Sequence, residues 1–138
     1  KESSFNSAIL KAKAHGIECA WSNEAFELWY LLHFHNRITA MKRTEYQKSI
    51  EVAINEKLKS KKNPFKYKKN ATNMYSLLEK YGNQELAIKW AKDLALRING
   101  ENFATYNPNT LVYKLIEELT GKSEELNSEI LKKYNEGK

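Results

Sequence analysis

Between residues 23 and 35 the chain carries an apolar side chain on nearly every helical face: Phe26, Leu28, Trp29, Tyr30, Leu31, Leu32 and Phe34. A helix that is apolar all round has no side to offer to water, so a helix over 23–35 must be central and the other elements must wrap it. One acid, Glu27, interrupts the run, and an ionised carboxylate is costly to bury unless it is paired, hydrogen-bonded or metal-bound. Asn23 lies four residues earlier, on the same face of such a helix, so the two side chains could share a ligand or a polar network. A structural alternative is an ion pair with Arg37 or a lysine, or a bond to a backbone amide. His33 and His35 fall on other sides of the helix and read as core or boundary histidines rather than metal ligands.

The rest of the 138 residues is one domain's worth of chain, and its patterns are mostly helical. Ser3 or Ser4 can cap a first helix carrying Phe5, Ala8, Ile9 and Ala12, which His15-Gly16 stops. Ile17 to Trp21 is short and apolar and reads as a buried strand. The order helix, strand, helix predicts a small α/β beginning over residues 1–43. Residues 44–138 read as a helical region packed with it as one unit. There, Thr44 to Gln47 fits a capping box ahead of the stripe Tyr46, Ile50, Ala53, Ile54 and Leu58. Gly82 stops a helix carrying Met74, Leu77, Leu78 and Tyr81, and Asn83 caps the next, with Ala87, Trp90, Ala91, Leu94 and Ile98, which Asn99-Gly100 ends. Pro108 with Asn109 or Thr110 opens one carrying Leu111, Val112, Leu115, Ile116 and Leu119. Ser123 caps the last, with Leu126, Ile130, Leu131 and Tyr134.

Composition removes several chemistries. The five glycines allow neither a dinucleotide-binding nor a P-loop phosphate cradle, and one cysteine with three histidines cannot close a zinc site. Sixteen of the seventeen acids are Glu and only Asp93 is Asp, so no D-x-D metal clamp exists. The longest apolar run, Leu28 to Leu32, is far short of the roughly 20 residues of a membrane span. The lone Cys19 suits a reducing compartment, and a cytoplasmic location without membrane association is expected.

Charge is unevenly placed. The net charge is +6, yet residues 57–69 hold seven lysines and no acid, leaving the rest at −1. Local charge density governs phosphate attraction, so Lys57, Lys59, Lys61, Lys62, Lys66, Lys68 and Lys69 are candidate nucleic-acid contacts. Pro64 disfavours helix, and in an extended segment Phe65 and Tyr67 share one face while Lys66 and Lys68 take the other. The two aromatics would stack on bases or pin the segment to the body. A merely solvated lysine face is the plain alternative.

The run Ser22-Asn23-Glu24-Ala25-Phe26-Glu27-Leu28-Trp29-Tyr30-Leu31-Leu32-His33-Phe34 resembles the S-N-x-x-F-E-x-W-x-L-L-H-F signature of the RloB-like family, which includes the AbiLii abortive-infection proteins. Phe5 to Ile9, Gly16-Ile17 and Asn107 to Leu115 extend the resemblance over most of the chain. The resemblance implies the last part of a Toprim-like α/β domain followed by a helical region, in a bacterial antiphage protein paired with an ABC- or OLD-type ATPase. It implies a Mg²⁺-dependent nuclease acting on RNA or DNA, with Glu27 and Asn23 at the catalytic site. The clamping acids would precede Phe5, so no complete metal site can be drawn within the chain, and these residues alone are expected to be inactive. The alternative is a noncatalytic nucleic-acid-binding or ATPase-docking helical module. A strand at 17–21 whose sheet neighbours are missing would also invite a homodimer through its open edge.

Overall fold

In the computed structural model, which describes residues 1–122 and 124–137, the central helix is shorter than its sequence pattern predicts. It runs Glu27–Leu32 (α2), and Leu28, Trp29, Leu31 and Leu32 are all buried. Residues 23–26 do not join it, because Ser22–Asn23 forms a strand (β1) paired antiparallel with Asn109–Thr110 (β2). Ser and Asn favour such local extended structure over a helix interior, since their side chains bond nearby polar groups. The Ser22 and Thr110 hydroxyls meet across the ladder at 2.7 Å, and Trp21 O accepts the Leu111 amide at 2.8 Å.

Two expectations are corrected here. The strand lies at 22–23 rather than 17–21, and Ile17 is exposed. Its partner comes from this same chain, at residues expected to open a helix, and not from sequence outside it.

The remaining elements follow the apolar stripes. Helix α1, Glu2–Ala14, has Lys1 at its N-cap position with no side-chain cap bond, so Ser3 and Ser4 lie inside it rather than capping it, and it stops before Gly16, whose φ of +71° is the left-handed conformation a stop requires. Helix α3 spans Arg43–Leu58 and buries Tyr46, Ile50, Ala53 and Ile54. Its N-terminus starts earlier than Thr44, and the Glu45 carboxylate accepts the Lys42 amide at 2.7 Å. Helices α4, Met74–Tyr81, and α5, Gln84–Ala95, meet at a tight turn, where Asn83 caps α5 by accepting the Leu86 amide at 3.0 Å. Helix α5 ends before Asn99-Gly100. A short 3-10 turn, Phe103–Thr105, leads through β2 to α6, Val112–Leu119, and α7 is Glu124–Glu136. Ser123, expected to cap α7, and the Leu126 side chain lie outside what the structure describes.

The fold is mainly α, as expected. Helix α2 packs on both α3 and α5, and Leu28, Leu32, Tyr46, Ile50, Ile54 and Leu94 form the inaccessible centre. On the other side, α1 is fastened to the 3-10 turn. Phe5 meets Trp21 edge-on at 5.7 Å, and Trp21 meets Phe103 at 5.8 Å. Asn6 accepts the Ala104 amide at 2.9 Å and donates to Asn102 at 2.6 Å.

The turn between α4 and α5 presses against α2. The Asn83 amide donates to His33 O at 2.8 Å, and a Cβ on Gly82 would come within 2.8 Å of both His33 Cβ and the Leu78 carbonyl. Glycine is needed here for close approach, not for an unusual φ. Gly82→Ala should lower stability by roughly 1–3 kcal/mol, read as a shift in urea midpoint at constant slope. An unchanged midpoint would mean that the turn yields without cost.

Candidate functional site

Glu27 is the first residue of α2 and is 2% exposed. Its Oε1 accepts from three side chains: Arg43 Nε at 3.0 Å, the Tyr67 hydroxyl at 3.1 Å and the Gln47 amide at 3.4 Å. Oε2 is buried without a hydrogen-bond partner. Burial pushes the carboxyl's pKa up, but bonds from Arg43, the Glu27 amide, Gln47 and Tyr67 outweigh it and hold the group below its ordinary 4.5. Glu27 is therefore an anion at neutral pH. The Tyr67 hydroxyl is pushed well above its usual range by burial and by the facing carboxylate, so it remains a donor. The buried acid found its partner in Arg43, not in Arg37, whose Nε instead donates to Thr39 O at 2.8 Å.

Arg43, Gln47, Glu51 and Asn55 recur every four residues along α3 and make one continuous polar stripe. Its far half holds the lysine segment. Asn55 accepts the Phe65 amide at 2.7 Å and donates to the Phe65 carbonyl at 3.0 Å, the pair of bonds a neighbouring strand would make. Glu51 accepts the Tyr67 amide at 2.8 Å. Phe65 and Tyr67 lean into the core, and all seven lysines are exposed. The alternation expected of an extended segment is realised, with the aromatics pinning and not free to stack. No motif in the sequence announced this stripe. The polar face of an amphipathic helix ordinarily meets water, and only its four-residue period hinted at another use.

Asn23 and Glu27 bond different partners. Because the helix begins at Glu27, the shared face expected for the two residues does not form. Asn23 donates instead to Ala104 O at 2.9 Å and Tyr106 O at 3.2 Å. His33 is buried, with Nδ1 donating to Trp29 O at 2.8 Å, and burial lowers its pKa; His35 is exposed. Asn109, expected to open a helix, is instead buried in β2 and donates to Leu94 O at 2.9 Å at the end of α5.

The donor set can be tested against a magnesium ion. Among the described residues no group of three or more His, Cys, Asp or Glu side chains could hold a metal. Glu27 is already paired through Oε1 with a guanidinium at 3.0 Å, and its unpartnered Oε2 is one carboxylate oxygen without the further acidic ligands a magnesium clamp needs. These residues do not fit Mg²⁺.

Residues 1–119 match the family described as RloB-like protein, a span that ends at the last residue of α6. The chain belongs to the RloB-like family. No curated protein and no solved structure matches it significantly. In this RloB-like chain the polar residues of the signature each fasten a different segment to α2 or its flanks: Ser22 holds β2, Asn23 the 3-10 turn, Glu27 the α3 stripe and the lysine segment. The His33 carbonyl holds the turn into α5.

Glu27→Gln should destabilise the chain by roughly 1–3 kcal/mol at pH 7, since a charge-assisted bond is lost while its donors remain. The carboxyl's pKa is depressed on folding, so its contribution is present above about 4.5 and fades as pH falls through the lower folded value. The gap between wild type and Glu27→Gln in thermal melts should accordingly narrow below pH 4.5, and a gap that widens there would contradict the ion pair. Tyr67→Phe should cost about 0.5–1.5 kcal/mol and speed hydrogen exchange at the Phe65 and Tyr67 amides.

Proposed function

We propose that this region is the nucleic-acid-guiding helical part of a RloB-like abortive-infection effector, with the lysine segment as its phosphate-binding edge. One observation carries the reading: all seven lysines are exposed, and the stretch Phe65 to Tyr67 among them is tied to α3 through its backbone and to Glu27 through the Tyr67 hydroxyl. A fixed backbone with charges on one side loses less freedom on binding than a floppy lysine run would. The nuclease chemistry and its magnesium, on this reading, belong to the parent protein and to carboxylates other than Glu27. Glu27 then acts as a positioning residue, because its Oε1 meets Arg43, Gln47 and Tyr67. Asn23 likewise shapes the 3-10 turn.

A second reading, docking on an ABC- or OLD-type ATPase, draws on exposed Leu115 and Leu119 of α6. Co-purification of the two proteins that survives high salt would favour it.

The test is the anisotropy of labelled single-stranded RNA and DNA across a salt series. If all seven lysines engage phosphates, the log–log slope should approach about −5, and reversal to Glu at Lys61, Lys62, Lys66 and Lys68 should abolish binding. Glu27→Gln should weaken binding while leaving some. A flat salt dependence would reduce the run to a solvated face. Cleavage of either strand by this chain with Mg²⁺ would show that its own residues assemble a metal site after all.

A further inference from the structure

With Phe65 and Tyr67 turned inward, the lysine edge has no stacking surface of its own, yet aromatic faces open on α2 and α4, the helix that Tyr67 bonds and the one that follows Lys69. A cavity of about 480 Å³ lies among α2, α4 and α6, walled by Phe26, Trp29, Tyr30 and Tyr75, with His33 and Glu79 at its lining. We propose that this cavity receives one unstacked base of a single-stranded nucleic acid whose backbone follows the lysine segment, an inference that rests on the nucleic-acid reading above.

The volume falls within the range of small-ligand pockets, and the walls are of the right kind. Single strands are commonly held by a positive groove for the backbone and aromatic faces for the bases. Phe26 and Tyr75, large rings at 46% and 74% exposure, stand open at this site, and Tyr30 braces Phe26 edge-on at 5.1 Å. Proximity to the lysines comes from both ends of the segment. Tyr67 bonds Glu27, three residues before Tyr30 on α2, and Tyr30 lies within the field of the Glu27 carboxylate. Past Lys69 the chain reaches Tyr75 in six residues, at most about 20 Å of extended backbone. A short strand of a few nucleotides could therefore reach from Lys69 into the cavity.

The polar lining also narrows the ligand. His33 donates through Nδ1 to the Trp29 carbonyl, so its Nε2 carries a lone pair and is an acceptor. The Glu79 carboxylate accepts as well. Two acceptors favour a base edge that presents an amino group, as adenine, cytosine and guanine do.

The 138-residue chain can be titrated with an adenine pentanucleotide and with an abasic pentamer of equal charge. The intact strand should bind about tenfold more tightly or better, the scale of one base–aromatic stack. Tyr75→Ala, at an exposed position and with an unchanged melting curve, should erase that difference without altering the salt slope, whereas Tyr75→Phe should keep it. Phe26→Ala should act like Tyr75→Ala. Equal affinity of intact and abasic pentamers with a steep salt slope would overturn the base pocket and leave the lysine edge standing. Absence of binding by either pentamer would remove both. A dimer that dissolves on Tyr75→Ala would overturn the base pocket in favour of self-association.

Discussion

A single buried carboxylate sets the relative placement of three parts of this molecule. Glu27 sits at the start of a helix wrapped on its other faces by Leu28, Trp29, Leu31 and Leu32, so it cannot turn to water. It must be met by protein groups, and the structure meets it from two directions. Arg43 and Gln47 reach it from α3, and Tyr67 reaches it from 40 residues further along the chain. Removing one partner from such a site leaves a desolvated charge, so the three segments are held to one another by the penalty for separating them as much as by the bonds. Oε2, unpartnered, shows that the arrangement is not fully satisfied, and the depressed pKa shows that it nonetheless favours the anion.

What the sequence revealed and what it concealed divide along a physical line. Burial was legible: the all-round apolar run placed α2 at the centre, and the stripes on α3, α4 and α5 chose the faces that are buried. Charge density was legible too, and so was the alternation of Phe65 and Tyr67 with Lys66 and Lys68. Long-range polar pairing was not. Arg37 and Arg43 are equally basic, and nothing local says that the nearer one bonds Thr39 while the farther one takes Glu27. The strand misplacement has the same origin. Ile17 to Trp21 has the right composition for a strand, but a strand exists only where a partner lies, and the partner, Asn109–Thr110, carries the local pattern of a helix start. Pairing with Asn109 then shortened α2 at its beginning and took Asn23 away from Glu27.

The asparagines show how a sequence signature can be structural without being apolar. Asn6 accepts the Ala104 amide and Asn23 donates to the Ala104 carbonyl, so one residue of the 3-10 turn is gripped on both of its backbone groups, from α1 and from β1. A backbone group left unbonded in a half-buried turn would be costly, and side-chain amides, which donate and accept together, are suited to such work. Asn55 grips both backbone groups of Phe65 in this way, while Asn109 donates only, to the Leu94 carbonyl in the last turn of α5. Irregular segments here are held not by sheets but by single amides projecting from regular elements.

That economy explains why the lysine segment can be extended and fixed without belonging to any sheet. A free run of seven lysines would spread its charges and shed affinity to the entropy of ordering them. Here Asn55 and Glu51 hold the main chain, and the two aromatics take the inward positions, so the period of two leaves Lys66 and Lys68 facing water. The carboxylates that secure the segment, Glu27 and Glu51, face its backbone side, and only Lys66 comes within 3.9 Å of one of them. Glu27 is met by Arg43, Gln47 and the Tyr67 hydroxyl and Glu51 by the Tyr67 amide, so little of either carboxylate is left to the lysine ammonium groups. The outer edge keeps its positive charge, and that charge is available to an anion from solution.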